Sequence, residues 1–227
     1  MNDSLLVHPH IAEYVSSLVP DLPDRLAELE SKAKQEEVPI IRKEAQGLLR
    51  FLLRTKRPKA ILEIGAAVGF SASFMAYCTD YNTSIDTIEK VPARIEAVRK
   101  LLSENADLAE VITLLEGDAE EILKKLADEG RQYDFIFLDA AKAQYPAYLV
   151  QIRRLLAEGG ILVTDNVLQE GSLAESKFTV TRRDRTIHMR MREYVRELFD
   201  DATFTSTLLP VGDGMTVSVR EAKTEEV

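Results

Sequence analysis

At 227 residues and 45% hydrophobic content, the chain can build a full core within one domain of the larger common size. A formal net charge of −9 disfavours indiscriminate binding of nucleic acid over the whole surface. Three histidines (His8, His10, His188) and the single Cys78 leave no Cys/His cluster for zinc and no internal disulfide. There is no run of about 18 apolar residues and Asp3 precedes the short Leu5-Leu6-Val7 segment, so the expectation is a cytoplasmic protein without membrane contact.

Residues 1–57 read as a helical extension. Ile11, Val15, Leu18 and Val19 recur at helical spacing, Leu22, Leu26 and Leu29 form a second face, and a third helix over about 40–54 aligns Leu48, Leu49, Leu52 and Leu53. Val38-Pro39-Ile40 interrupts charged segments and reads as a hydrophobic lid, placing Val38 at a cofactor. From residue 58 to 227 strands and helices alternate, the signature of a mostly parallel sheet with helices on both faces. Strands are expected at 60–64, 84–89, 111–115, 134–138 and 160–164, with helices at about 70–79, 92–104, 119–129 and 145–157. The segment 166–199 carries no assigned element, and Thr203–Leu209 with Met215–Val219 reads as a closing pair of strands. Residues 1–227 are thus expected to form one domain.

The first strand ends in Glu63-Ile64-Gly65-Ala66-Ala67-Val68-Gly69-Phe70-Ser71. A dinucleotide fingerprint starting at Gly65 needs glycine where Ala67 and Phe70 stand, and no Gly-Lys-Ser/Thr follows, which argues against NAD and ATP. Glu-x-Gly-x-x-x-Gly instead resembles the first motif of class I methyltransferases that bind S-adenosylmethionine (SAM). Further strand ends point polar groups into one crevice. Glu89 is placed to accept from two ribose hydroxyls. Gly117-Asp118-Ala119 offers an adenine edge, with Asp118 also suited to cap the next helix. Asp139, then Asp165-Asn166, supply an all-oxygen set suited to Mg²⁺.

Asp139-x-x-Lys142 after one strand and Asp165-Asn166 after the next, with the Glu63 to Ser71 motif upstream, resemble the metal-dependent O-methyltransferase family of catechol and caffeoyl-CoA methyltransferases. The likeness is strongest to its bacterial tRNA 5-hydroxyuridine branch, through Val38-Pro39-Ile40, Asp139-Ala140-Ala141-Lys142, Thr164 to Leu168, and Leu209 to Gly214. The resemblance implies a Rossmann-like fold with a seven-stranded sheet and a homodimer. It implies SAM contacts from Glu63, Gly65, Ser71, Glu89 and Ala119, a Mg²⁺ site from Asp139, Asp165 and Asn166, and Lys142 as base at the acceptor hydroxyl. Ala141 stands where catechol-type enzymes carry an aromatic residue, which speaks against a tightly clamped small aromatic acceptor.

Between Lys177 and Arg192 stand Lys177, Arg182, Arg183, Arg185, Arg190 and Arg192 against the single acid Asp184, a local inversion of the overall charge. Arg182, Arg183 and Arg185 are accordingly expected to grip RNA, with a tRNA anticodon-loop uridine as partner. A small phenol or catechol is the competing acceptor, and a solvated helix face the plain alternative for the arginines.

Overall fold

The computed structural model describes residues 7–169, 171–176, 180–182 and 184–222. Three helices lead the chain: α1 (Pro9–Leu18), α2 (Asp24–Gln35) and α3 (Lys43–Lys56). Then follow β1 (Ala60–Ile64), α4 (Phe70–Cys78), β2 (Ser84–Glu89), α5 (Pro92–Glu104), α6 (Ala106–Val111), β3 (Ile112–Glu116), α7 (Ala119–Asp128) and β4 (Tyr133–Leu138). A short 3-10 turn, Lys142–Gln144, leads into α8 (Tyr145–Leu155), β5 (Leu156–Thr164), a second such turn at Ser172–Ala174, α9 (Arg185–Asp200), β6 (Phe204–Leu209) and β7 (Met215–Arg220).

The seven strands form one sheet in the order β3-β2-β1-β4-β5-β7-β6. The first five run parallel and β7 is antiparallel to both its neighbours. Because the chain winds outward from β1 in one direction and from β4 in the other, the two strand ends part and leave a crevice at their carboxyl side. Alternation along the strands feeds two cores: Leu62, Ile64, Ile136 and Leu138 pack with α7, α8 and α9, while Ile61, Phe135, Phe137 and Val163 pack with α2, α3 and α4. Burial on both faces explains why these strands read as nearly unbroken apolar runs.

Several boundaries differ from the sequence reading. The third helix starts at Lys43, because Arg42 is extended. β5 begins at Leu156 rather than 160: Leu156 pairs with Tyr133 across a register shift, and Gly159 accommodates it at φ +68°. The unassigned segment 166–199 contains most of α9, whose core face is His188, Met191, Tyr194 and Leu198. α1 contacts α3 but buries none of its own residues; Ile11, Tyr14 and Leu18 are 54%, 65% and 63% exposed. Cys78 is fully buried, and burial pushes its thiol up to about 12, as suits a small core residue. Among the described residues no helix is long and apolar enough to cross a membrane.

Candidate active site

The crevice opens as a cavity of about 740 Å³ above β1, β2, β4 and β5. Its tightest constraint is Gly65 at φ +106°: a Cβ there would lie 2.1 Å from the Asp139 carbonyl oxygen, so the ends of β1 and β4 approach this closely only with glycine. The Gly65 and Ala66 N–H groups both donate to the Ile88 carbonyl, tying the turn to β2. Gly69 opens α4 at φ +82°.

Glu63 stands behind this turn, fully buried, and is not on the cavity wall. Burial pushes its carboxyl up to about 7, opposed by the Ser71 and Thr87 hydroxyls and reinforced by the charges of Asp139 and Glu89. The Thr87 hydroxyl donates to Oε2. Oε1 has no hydrogen bond of good geometry, although the Ser71 hydroxyl lies close enough to favour the ionised form. Ser71 itself is on the wall. Glu63 therefore supports the turn from beneath and holds Ser71 in its field, where the sequence placed it against the cofactor.

Glu89, 5% exposed, lines the cavity at the end of β2. Its Oε2 accepts from Ala67 N–H at 2.9 Å, and its Oε1 from Lys90 and Val91 N–H at 2.8 and 2.9 Å. A carboxylate offers about four acceptor positions. Three main-chain donors thus hold the carboxylate in place at the cavity wall. Further along, Gly117 and Ala119 form the wall, but Asp118 turns away: it accepts from Glu120 N–H at 2.9 Å as the cap of α7, and pairs with Lys90 at 3.3 Å. Val38 likewise sits just outside, and the lid that faces the cavity is Pro39 to Arg42.

Across the crevice, Asp139 N–H donates to the Ile64 carbonyl and Asp165 N–H to the Leu138 carbonyl, which sets the two acids side by side. Asn166, left-handed at φ +58°, bridges them: its N–H donates to Asp165 Oδ1 at 2.7 Å and its Nδ2 to Asp139 Oδ1 at 3.1 Å. Asparagine tolerates that backbone better than most residues. Burial is the largest reason that both carboxyls titrate above the usual range; for Asp165 the charges of Asp139 and Asp213 add to it. Asn166 and Lys142 oppose the rise at both acids. Neither aspartate serves as a helix cap. A buried, mutually repelling carboxylate pair beside a carboxamide oxygen fits a hard divalent cation, whose charge would relieve the repulsion. Among the described residues no group of three or more His, Cys, Asp or Glu gathers, so the protein would supply few ligands here and leave positions for water and substrate.

Sequence reasoning missed several wall residues: Phe70, Arg42, Lys90, Arg94 and Tyr148. Arg94 approaches Glu89 at 4.0 Å. Tyr148, 3% exposed, has its phenol pushed up to about 12 by burial and by the charges of Asp118 and Glu120, which places it at the Gly117–Ala119 end. Its position one helical turn after Tyr145, beyond the Asp139 strand, was the available signal.

Of the arginine cluster, Arg183 lies outside the described residues, as does Lys177. Arg182 is exposed, and Arg185 starts α9, its Nε donating to the Val180 carbonyl at 3.3 Å. Arg190 pairs with Glu193 at 2.9 Å and Arg192 donates to the Glu175 carbonyl at 3.2 Å, so part of the cluster is engaged locally. Of the described arginines of the cluster, none lines the cavity. α9 does pack against the Lys142–Gln144 turn, and its Tyr194 meets Tyr145 edge to face.

Comparison with known proteins agrees with this geometry. A solved structure from Staphylococcus aureus, provisionally described as a caffeoyl-CoA O-methyltransferase, superposes with a TM-score of 0.84 at 28% identity, covering 93% of this chain and 99% of that one. The SAH-bound methyltransferase PaMTH1 of Podospora anserina gives 0.82 at 27% identity over 94% of each chain. A Mycobacterium leprae protein provisionally named an O-methyltransferase is 27% identical over 96% of this chain and 92% of its own length. The family model for O-methyltransferases matches residues 14–221. The match spans most of the chain, and the chain belongs to the O-methyltransferase family.

Proposed function

We propose that this chain transfers a methyl group from SAM to the 5-hydroxyl of 5-hydroxyuridine in tRNA, giving 5-methoxyuridine, with Mg²⁺ held by Asp139, Asp165 and Asn166. SAM as donor is supported by family membership and by the SAH-bound relative, 27% identical. Its methionine part would lie on the Gly65 turn beside Ser71, its ribose at Glu89 and its adenine between Gly117, Ala119 and Tyr148. A bound divalent cation would stabilise the oxyanion of the acceptor. Lys142 lies near both aspartates, and as the neutral amine its Nζ lone pair takes the hydroxyl proton. The acceptor oxygen then bonds to the methyl carbon as the carbon–sulfur bond breaks, its electron pair passing to sulfur. Most of the remaining rate comes from alignment, since the Gly65 turn and the Asp139–Asp165 pair fix donor and acceptor against each other.

The RNA acceptor is supported by the packing of α9, the helix that Arg185 opens, on the Lys142–Gln144 turn beside a cavity wall where Ala141 is small. Modified-nucleoside analysis of tRNA from cells lacking the protein tests it: 5-methoxyuridine-derived species should disappear, and their persistence refutes the reading. A small phenolic acceptor is the second reading, favoured by the provisional name of the S. aureus relative and by the pairing of Arg190 with Glu193. Rapid turnover of free catechols would select it.

The exposed Ile11, Tyr14, Leu18 and Phe51 on the contacting helices α1 and α3 would supply the apolar face for a homodimer. Sedimentation at micromolar concentration should give twice the chain mass, and Phe51→Asp should shift it to monomer.

A further inference from the structure

Four cations stand on the cavity wall: Arg42, Lys90, Arg94 and Lys142. Lys90 pairs with Asp118 at 3.3 Å and Arg94 faces Glu89 at 4.0 Å, both toward the end of the cavity formed by β2 and β3. Lys142 has its place at the acceptor hydroxyl. Arg42 is left: among the described residues its guanidinium makes no hydrogen bond and no ion pair, while the adjacent Lys43 pairs with Asp21 at 3.6 Å. Its lid neighbours Pro39, Ile40 and Ile41 carry no charge.

The position of Arg42 separates acceptor from donor. A Cβ on Gly212 would lie 3.9 Å from Arg42 Cβ, so Arg42 packs on the turn between β6 and β7. The next residue of that turn, Asp213, is near enough for its charge to act on Asp165. Arg42 therefore stands over the Asp165 side of the cavity, away from Glu89 and Gly117. Of the acids on that side, Asp165 and Asp213 are buried, and the half-buried Asp139 is bridged to Asp165 by Asn166. An unpaired guanidinium at the rim awaits an anion brought by the ligand, and phosphate matches its fork geometry.

We propose that Arg42 is a specificity-determining residue that receives the phosphate next to the acceptor nucleotide, so that the enzyme selects a nucleotide in a chain over a neutral phenol. This rests on the tRNA reading. The arginines around α9 do not line the cavity and would meet phosphates farther along the strand.

The test uses the full-length protein and a stem-loop RNA with one 5-hydroxyuridine, alongside two versions in which the phosphate 5′ or 3′ of that nucleotide is replaced by a neutral methylphosphonate. One replacement should lower kcat/KM of the unaltered protein about tenfold. Arg42→Ala should show a similar loss on the native RNA and be indifferent to that replacement, with Arg42→Lys intermediate, while SAM affinity and any turnover of free catechol stay unchanged. If the losses from Arg42→Ala and from the neutral linkage multiply, or if Arg42→Ala weakens SAM binding, the assignment of Arg42 falls while the tRNA reading stands. If the unaltered protein methylates none of the RNAs, both fall.

Discussion

Glu63→Gln separates the electrostatics of the Gly65 turn from its packing. Glu63 is fully buried, and its carboxyl is raised from 4.5 to about 7. The folded state therefore holds this proton more tightly than the unfolded chain. The stability it confers is fully present below about pH 4.5, falls as pH rises toward 7, and is lost above. A shift of this size corresponds to about 3 kcal/mol in total, of which roughly 2.5 kcal/mol falls between pH 5 and pH 8. Glutamine keeps the shape and an acceptor for the Thr87 hydroxyl, but it cannot ionise. In urea denaturation without ligand, the variant should therefore gain about 2.5 kcal/mol on the parent protein between pH 5 and pH 8. An equal difference at the two pH values, within about 0.5 kcal/mol, would refute the idea that burial governs this carboxyl.

Gly65→Ala places a Cβ 2.1 Å from the Asp139 carbonyl at φ +106° and should cost about 3 kcal/mol, read by denaturation, with loss of SAM binding by calorimetry. Asp165→Asn removes one of two repelling buried carboxylates: the ligand-free protein should melt higher, while the rise in Tm that millimolar Mg²⁺ gives the parent should vanish. A Mg²⁺ response that survives would exclude Asp165 as a ligand. Lys142→Ala should lower kcat about 100-fold and change the pH dependence of the rate, whereas near-normal turnover with an unaltered profile would remove Lys142 from proton transfer.

The sheet was legible because its strands are buried on both faces and bounded by helix caps and glycines; β1 and β2 came out to the residue from Ala60–Ile64 and Ser84–Glu89. The carboxylate pair was legible for the same reason, since parallel strand ends converge whatever lies between them. α9 was hidden because its inward face includes His188 and Tyr194, so the apolar period is broken by polar types while arginines fill the outward face. Spacing along the chain also cannot tell a wall residue from one behind it: Glu63 lies in register with Thr87, two residues short of Glu89, so the two acids share a face of the sheet and only Glu89 reaches the cavity. Arg42 comes from a helix start distant in sequence from the motifs, and only the packing of α3 beside the crevice brings it in.

The central claim is tested most directly by incubating the purified protein with SAM, Mg²⁺ and tRNA from cells lacking it, then digesting the tRNA for nucleoside mass spectrometry. The account predicts conversion of 5-hydroxyuridine to 5-methoxyuridine that stops when Mg²⁺ is chelated. Unmethylated tRNA, together with rapid methylation of a free catechol that is indifferent to substitution of Arg182 and Arg185, would contradict it.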